Sequence, residues 1–244
     1  MGRVIMSGIV PLLKAPVTGV LASSLAVGST VKLMEGGTAV DYLVVNQGIP
    51  SNSGLYDASC DGTWLLRKDI HSERQWNSSN VNDYANSTIN TWLNGDLFNS
   101  FGSVEQAAIK QVRIPYRAGY GSNGSDQSGA NGLLCKIFLL GGYEVGFTTS
   151  DNPYFPADGA KLSYFESGTG TSAKKKRIAN LNSSAADWWL RSPDTNYTNL
   201  VCGVSSNGSY NGSSAFNLGG VRPALVLPGN ALFDGKTKLL MGVK

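Results

Sequence analysis

Trp188-Trp189-Leu190-Arg191-Ser192-Pro193 and Gly220-Val221-Arg222-Pro223-Ala224-Leu225 bracket Asp194 to Gly219, a stretch of quite different character. The flanks carry bulky Trp, Leu and Val that fill a core. Each also carries one Arg, whose planar guanidinium can donate several hydrogen bonds to carbonyls or to a carboxylate such as Asp187. Trp188, Trp189, Arg191 and Arg222 are therefore expected as scaffold, with neither Arg in a catalytic role. Between them lie Asn, Ser, Gly and Tyr with one acidic residue, Asp194. Such a composition offers adaptable polar contacts around a few rigid rings, as antibody loops do.

Within that stretch, Leu200 to Ser206, Asn207-Gly208 and the return through Ser209 to Asn211 read as a hairpin. Asn-Gly tolerates the positive φ that a type I′ turn requires. Alternation separates Val201, Gly203 and Ser205 from Leu200, Cys202, Val204 and Ser206. With Cys202 and Val204 inward, Gly203 and Ser205 fall on a binding face with Asn207 near the turn; the plainer alternative is an ordinary exposed edge hairpin. Tyr197, Tyr210 and Phe216 supply aromatic contact area. Asn196, Asn199, Ser205, Ser209, Asn211, Ser213, Ser214 and Asn217 supply donors and acceptors, and Gly203, Gly212 and Gly219 leave hollows. Asp194, Leu200 and Leu218 complete the expected ligand-binding set.

Working outward, residues 224–227 continue a strand begun at Val221, and 186–191 form another. Val31, Leu33 and Tyr42 to Val45 around Glu35-Gly36-Gly37 read as a hairpin, with a strand at Thr63 to Arg67. Val81, Ala85, Ile89, Trp92 and Leu93 recur at helical spacing over 80–94, and Gly95 stands at the capping position. Ser103 and Gln106 have capping-box spacing for a second helix, with Val104, Ala107, Ala108 and Ile109 inward until Pro115. Residues 118–132 read as an exposed loop, Cys135 to Leu140 as a buried strand and 151–170 as irregular. Residues 1–27, small and punctuated by Pro and Gly, read as an N-terminal arm or attachment segment before a domain over 28–244. The expected class is α+β.

The 244 residues suffice for a real core: 41% are hydrophobic and only 15% charged, with 30 Gly and five Trp. Net charge is +3, and the one basic run, Lys174-Lys175-Lys176-Arg177, lacks interleaved aromatics. It reads as a solvated loop, so no nucleic acid is expected. Three cysteines, Cys60, Cys135 and Cys202, form neither a Cys-x-x-Cys pair nor a disulfide framework. His71 is the sole histidine, which argues against His-rich metal sites, and the sparse acids argue against a calcium site; no cofactor and no metal are expected. Pro11, Lys14 and Pro16 interrupt any signal-peptide core, and no apolar run spans a bilayer, so a soluble chain without membrane insertion is expected, made in the bacterial cytoplasm.

The motif pair at 188–193 and 220–225 resembles that of the formylglycine-generating-enzyme type of C-type-lectin fold found in variable proteins of diversity-generating retroelements. In that family such segments enclose a diversified region, and the resemblance extends over roughly residues 28 to 240. It implies a C-type-lectin-like fold, two helices packed on short twisted antiparallel sheets, with a variable region at 194–219. Retroelement mutagenesis of adenines in Asn-type codons cannot reach Lys, Glu, Gln, Met or Trp, and residues 194–219 contain none of the five. A polar loop lacking them by chance is the alternative. The resemblance implies a non-enzymatic receptor-binding protein (adhesin) at a phage or prophage tail tip, trimeric by analogy, with a host-surface protein or glycan as partner. Two other readings stand beside it: an undiversified bacterial lectin-like domain, and a copper or thiol oxidase of the same fold, which needs a pair of active-site thiols.

Overall fold

The structure, a computed structural model, describes residues 19–51 and 53–244. Strands predominate and helices are few and short, an α+β arrangement. β1 is Gly19–Leu21. β2 (Thr30–Glu35) and β3 (Thr38–Gln47) form the expected hairpin, in which Glu35 pairs with Thr38 and both turn glycines, Gly36 and Gly37, take positive φ (58° and 76°), as a type I′ turn demands. β4 spans Thr63–Arg67, β5 Ser72–Gln75 and β6 Ile137–Phe138. β7 (Trp188–Pro193), β8 (Leu200–Val204), β9 (Tyr210–Ser214), β10 (Leu218–Val221), β11 (Ala224–Leu227), β12 (Ala231–Asp234) and β13 (Leu240–Val243) complete the main strands.

Two five-stranded sheets carry the molecule. One runs β6-β11-β4-β3-β2, the other β9-β8-β7-β10-β5, and β1-β12-β13 makes a smaller third. The central strands β4 and β11 are apolar on both faces and buried throughout apart from Arg67, whereas β2 alternates buried and half-buried positions as an outer strand should. β7 pairs antiparallel with β8 but parallel with β10, so the two flanking motifs lie side by side, Trp188 opposite Gly220. Trp64 packs edge-on against Phe138 at 5.4 Å and Tyr56 at 5.7 Å, at the heart of a core that also includes Trp76 and Trp188.

Several expectations are corrected. The first helix, α1, covers Thr88–Trp92 with Ser87 as its cap, then runs through a π turn (Leu93–Leu97) into Phe98–Ser100. Val81 and Ala85 precede it, and Gly95 lies inside the π turn, where Asn94 Oδ1 accepts from Lys136 and Ile137 backbone N–H groups (2.8 and 3.2 Å). In α2 (Ser103–Ala108) the cap is Gly102; Val104 and Ala107 face solvent while Glu105, with Ala108 and Ile109, faces in. Glu105 accepts from Met34 N–H at 3.0 Å. The basic run forms a third helix, α3 (Thr171–Arg177), and its Arg177 is fully buried. Of the expected arm, residues 1–18 lie outside the described residues, but β1 pairs with β12 and Ala22 joins the core, so the packed unit begins by residue 19 rather than 28. Among the described residues no helix is long and apolar enough to cross a membrane.

Candidate functional site

The two motifs build a rigid frame. Trp188 and Trp189 are buried, and their indoles donate to the carbonyls of Arg177 (3.0 Å) and Arg74 (2.9 Å). Arg191 meets Glu144 end-on through both terminal nitrogens (2.6 and 2.7 Å), and also donates to the carbonyls of Pro115, Leu139 and Asp158. Its carboxylate partner is thus Glu144, not Asp187, and it keeps its proton more tightly than usual: burial opposes the charge, but Glu144 overcomes that cost. Arg222 donates to the carbonyls of Arg67 (2.9 Å) and Lys68 (3.1 Å) with its guanidinium 5.0 Å from the Trp188 ring, and burial lowers its pKa to about 10. Asp187 instead accepts from Ser206 N–H (2.7 Å) and Asn211 Nδ2 (2.8 Å).

Inside this frame the 194–219 stretch divides. Val201, Cys202, Val204 and Ala215 are fully buried; Tyr197, Phe216 and Leu218 are 51%, 52% and 68% exposed. Asn196, Asn207, Gly212 and Asn217 are exposed too, while Asn199, Leu200, Ser205, Ser209, Asn211, Ser213 and Ser214 are half-buried. Three expected contact residues are corrected. Asp194 is buried, its Oδ1 accepting from the N–H groups of Asn196 (2.9 Å) and Tyr197 (3.1 Å), so it shapes the loop from within. Tyr210 turns inward against Phe155 (5.5 Å) and Phe147 (6.0 Å), its hydroxyl accepting from Asn152 at 2.9 Å. Gly203 is buried at the floor of a 60 Å³ hollow walled by Trp189, Asn211 and Ser213. Gly219 lines the same hollow, as expected of it, and a Cβ there would sit 2.4 Å from the Trp189 ring.

The hairpin turn also differs from expectation. Ser205 and Ser209 pair, Gly208 N–H donates to Ser205 O (2.8 Å), and only Gly208 takes positive φ (81°). This is a three-residue loop with a bulge, not a type I′ turn. Its closeness to α3 decides the choice, since Arg177 Nε donates to Gly208 O at 2.8 Å.

Sequence reasoning missed the residue that grips the first loop. Asn82, fully buried, places Nδ2 within 3.0, 2.8 and 2.6 Å of the carbonyls of Asp194, Tyr197 and Leu200, and its Oδ1 accepts from Gly121 N–H at 3.1 Å. An isolated Asn in a polar run carries no signal for such a role. The three thiols are buried, and burial pushes Cys60 up to about 12 and Cys135 and Cys202 higher still. His71 stacks edge-on with Trp92 at 5.2 Å and lies 3.5 Å from Glu35, and burial lowers its pKa. Among the described residues no group of three or more His, Cys, Asp or Glu is arranged to hold a metal ion.

No curated protein and no solved structure matches this chain. A family model described as a domain of unknown function (DUF6273) matches residues 61–229, which takes in both five-stranded sheets apart from β2 and β3 and is more than half of the chain. The chain therefore belongs to the DUF6273 family.

Proposed function

We propose that this chain is a non-enzymatic binding protein of C-type-lectin-like fold that presents the exposed part of residues 194–219 to a host-surface protein or glycan, as a receptor-binding (adhesin) module of a phage or prophage tail whose surface a diversity-generating retroelement varies. The observation that carries the reading is how the segment is held. Asn82 engages the 194–200 loop solely through backbone carbonyls, and Arg177 does the same at the hairpin tip. Such grips fix the backbone while leaving the exposed side chains of Asn196, Tyr197, Phe216 and Leu218 free to change; Asn207, whose Oδ1 accepts from Ser209 N–H (2.9 Å), and Asn217, whose Nδ2 donates to Ser213 Oγ (2.9 Å), also brace the segment. The contact set consists of Asn196, Tyr197, Asn207, Phe216, Asn217 and Leu218, with Tyr197, Phe216 and Leu218 as anchors of low conformational cost. Trimeric assembly follows by analogy with the resembling family. Buried thiols held protonated are poor nucleophiles, which weighs against a thiol oxidase.

The test is a tolerance library. Randomising the six contact positions is expected to leave most variants folded, with melting temperatures near the parent's, because exposed substitutions usually stay within about 0.5 kcal/mol. The same randomisation at Val201, Cys202, Val204 and Ala215 is expected to unfold most of them. Equal losses in both libraries would sink the reading, as would a triple Ala replacement of Tyr197, Phe216 and Leu218 that binds a panel of intact bacterial cells as the parent does. Adenine-biased differences from a template repeat at the coding locus separate a diversified module from a lectin-like domain with a fixed ligand.

A further inference from the structure

We propose that the groove between β5 and α1 binds an acidic sugar unit, a ring bearing hydroxyls and a single carboxylate, with Arg74 as the carboxylate clamp. The groove encloses about 420 Å³, within the range of small-ligand sites, and it is built chiefly from residues outside 194–219, so the inference does not rest on the reading above.

Arg74 is poised for a ligand. Its guanidinium lies 3.9 Å from the centroid of the Trp92 ring, which fixes the plane of the fork. Arg74 enters the hydrogen-bond network through its backbone, the carbonyl accepting from Trp189 Nε1, while its Nε is buried with no acceptor. Its terminal nitrogens, unlike Nε, are not enclosed and make no hydrogen bond or ion pair among the described residues, and a planar fork set over an indole matches the two oxygens of a carboxylate. Gln75, Ser78 and Thr88 line the same groove with uncharged donors and acceptors suited to hydroxyls, and the exposed Leu218 offers apolar surface to a ring. Glu73, the acid of the lining, sets the charge selection: it repels a doubly charged phosphate more strongly than a singly charged carboxylate.

Calorimetric titration of the full chain with D-glucuronate at low salt tests this, with glucose, acetate and inorganic phosphate in parallel. Saturable one-site binding of glucuronate is expected, with each of the other three at least about tenfold weaker. Arg74→Gln is expected to weaken glucuronate binding by about tenfold or more, the usual cost of one charge-assisted bond. Arg74→Lys, which keeps the charge but loses the fork, weakens it as well. If Arg74→Gln proves unfolded by its melting curve, Arg74→Lys and Thr88→Val carry the test, each expected to lower affinity in a folded chain. The proposal is overturned if glucuronate does not saturate, if glucose, acetate or phosphate binds as tightly, or if the folded Arg74 variants keep full affinity.

Discussion

Arg191 and Asp158 sit in the same dry interior with different prospects. Arg191 has an ideal partner in Glu144, and Glu144 is further tied by Gly141 N–H (2.9 Å) and the Tyr56 hydroxyl (2.9 Å). Removing one member of such a pair strands the other, which typically costs about 3–5 kcal/mol. Arg191→Met, which also frees three carbonyls, should therefore cost more in urea unfolding than Glu144→Gln; the reverse order would mean that the carbonyl bonds count for little. Asp158 is less well served: it accepts from the Ser192 hydroxyl (2.7 Å), its other oxygen has no partner, and Arg191 Nε stays 3.9 Å away. Burial pushes its carboxyl up to about 7, with Arg191 and Ser192 pulling down and Glu144 and Asp126 adding a smaller upward push. Because the folded chain holds this proton more tightly than the unfolded one, the stabilisation is complete below about pH 4 and is lost as the pH rises towards 7. Unfolding free energies of the parent and of Asp158→Asn should thus diverge by a few kcal/mol between those limits, the variant gaining with pH. A constant difference would show that the carboxyl is ionised throughout.

Turns give the sharpest comparison at the level of elements. Gly37 and Gly208 have nearly the same φ, 76° and 81°, but a Cβ on Gly37 meets nothing within 4 Å, whereas one on Gly208 would lie 2.1 Å from the Lys174 carbonyl oxygen. Gly37→Ala should cost about 1 kcal/mol, the usual strain of positive φ, and Gly208→Ala clearly more, read as the difference in denaturation midpoints. Equal shifts would mean that α3 moves aside freely. The same pair shows what sequence could disclose. The β2-β3 hairpin is encoded locally, by alternation and two glycines, so the hairpin and its turn were legible, though β3 runs beyond the Tyr42–Val45 stretch at both ends. The turn at Asn207-Gly208 was legible as a turn but not in type, because its geometry answers to Arg177, distant in sequence. Helical spacing over 80–94 misled for a like reason: Asn82 is drawn into long-range backbone bonds that a helix starting there would have to share. Strands β5 and β10, polar or glycine-rich, carry no periodic signal; β10 exists because β7 offers it an edge, and β5 because β10 does. At the site, the buried flanks could be read from their bulky residues. The inward turn of Tyr210 could not, since Phe147 and Phe155 reach it from another part of the chain.

On the scale of the whole molecule, the question is where the folded unit starts. A chain begun at residue 28 would lack β1, which edges the third sheet, and would lose more than three paired residues. Gln47 Nε2 donates to the carbonyls of Ala22 and Leu25, both at 2.9 Å, and Ser23 N–H reaches Gly229 O at 3.0 Å. Ala22 is wholly enclosed, so its removal also opens the core to water beside β12. Gln47 holds a third bond, its Oε1 accepting from the Thr63 hydroxyl at 2.8 Å, which keeps its amide fixed near the void. Each hydrogen bond lost there counts for about 0.5–1.5 kcal/mol net, and the lost apolar contact adds to it. Compared with a chain begun at residue 19, one begun at 28 should be less stable by several kcal/mol, and amide exchange should quicken first in Ala231–Asp234, the strand left with one neighbour. If both chains unfold at the same denaturant concentration, the third sheet is an appendage and the unit begins where composition alone had set it.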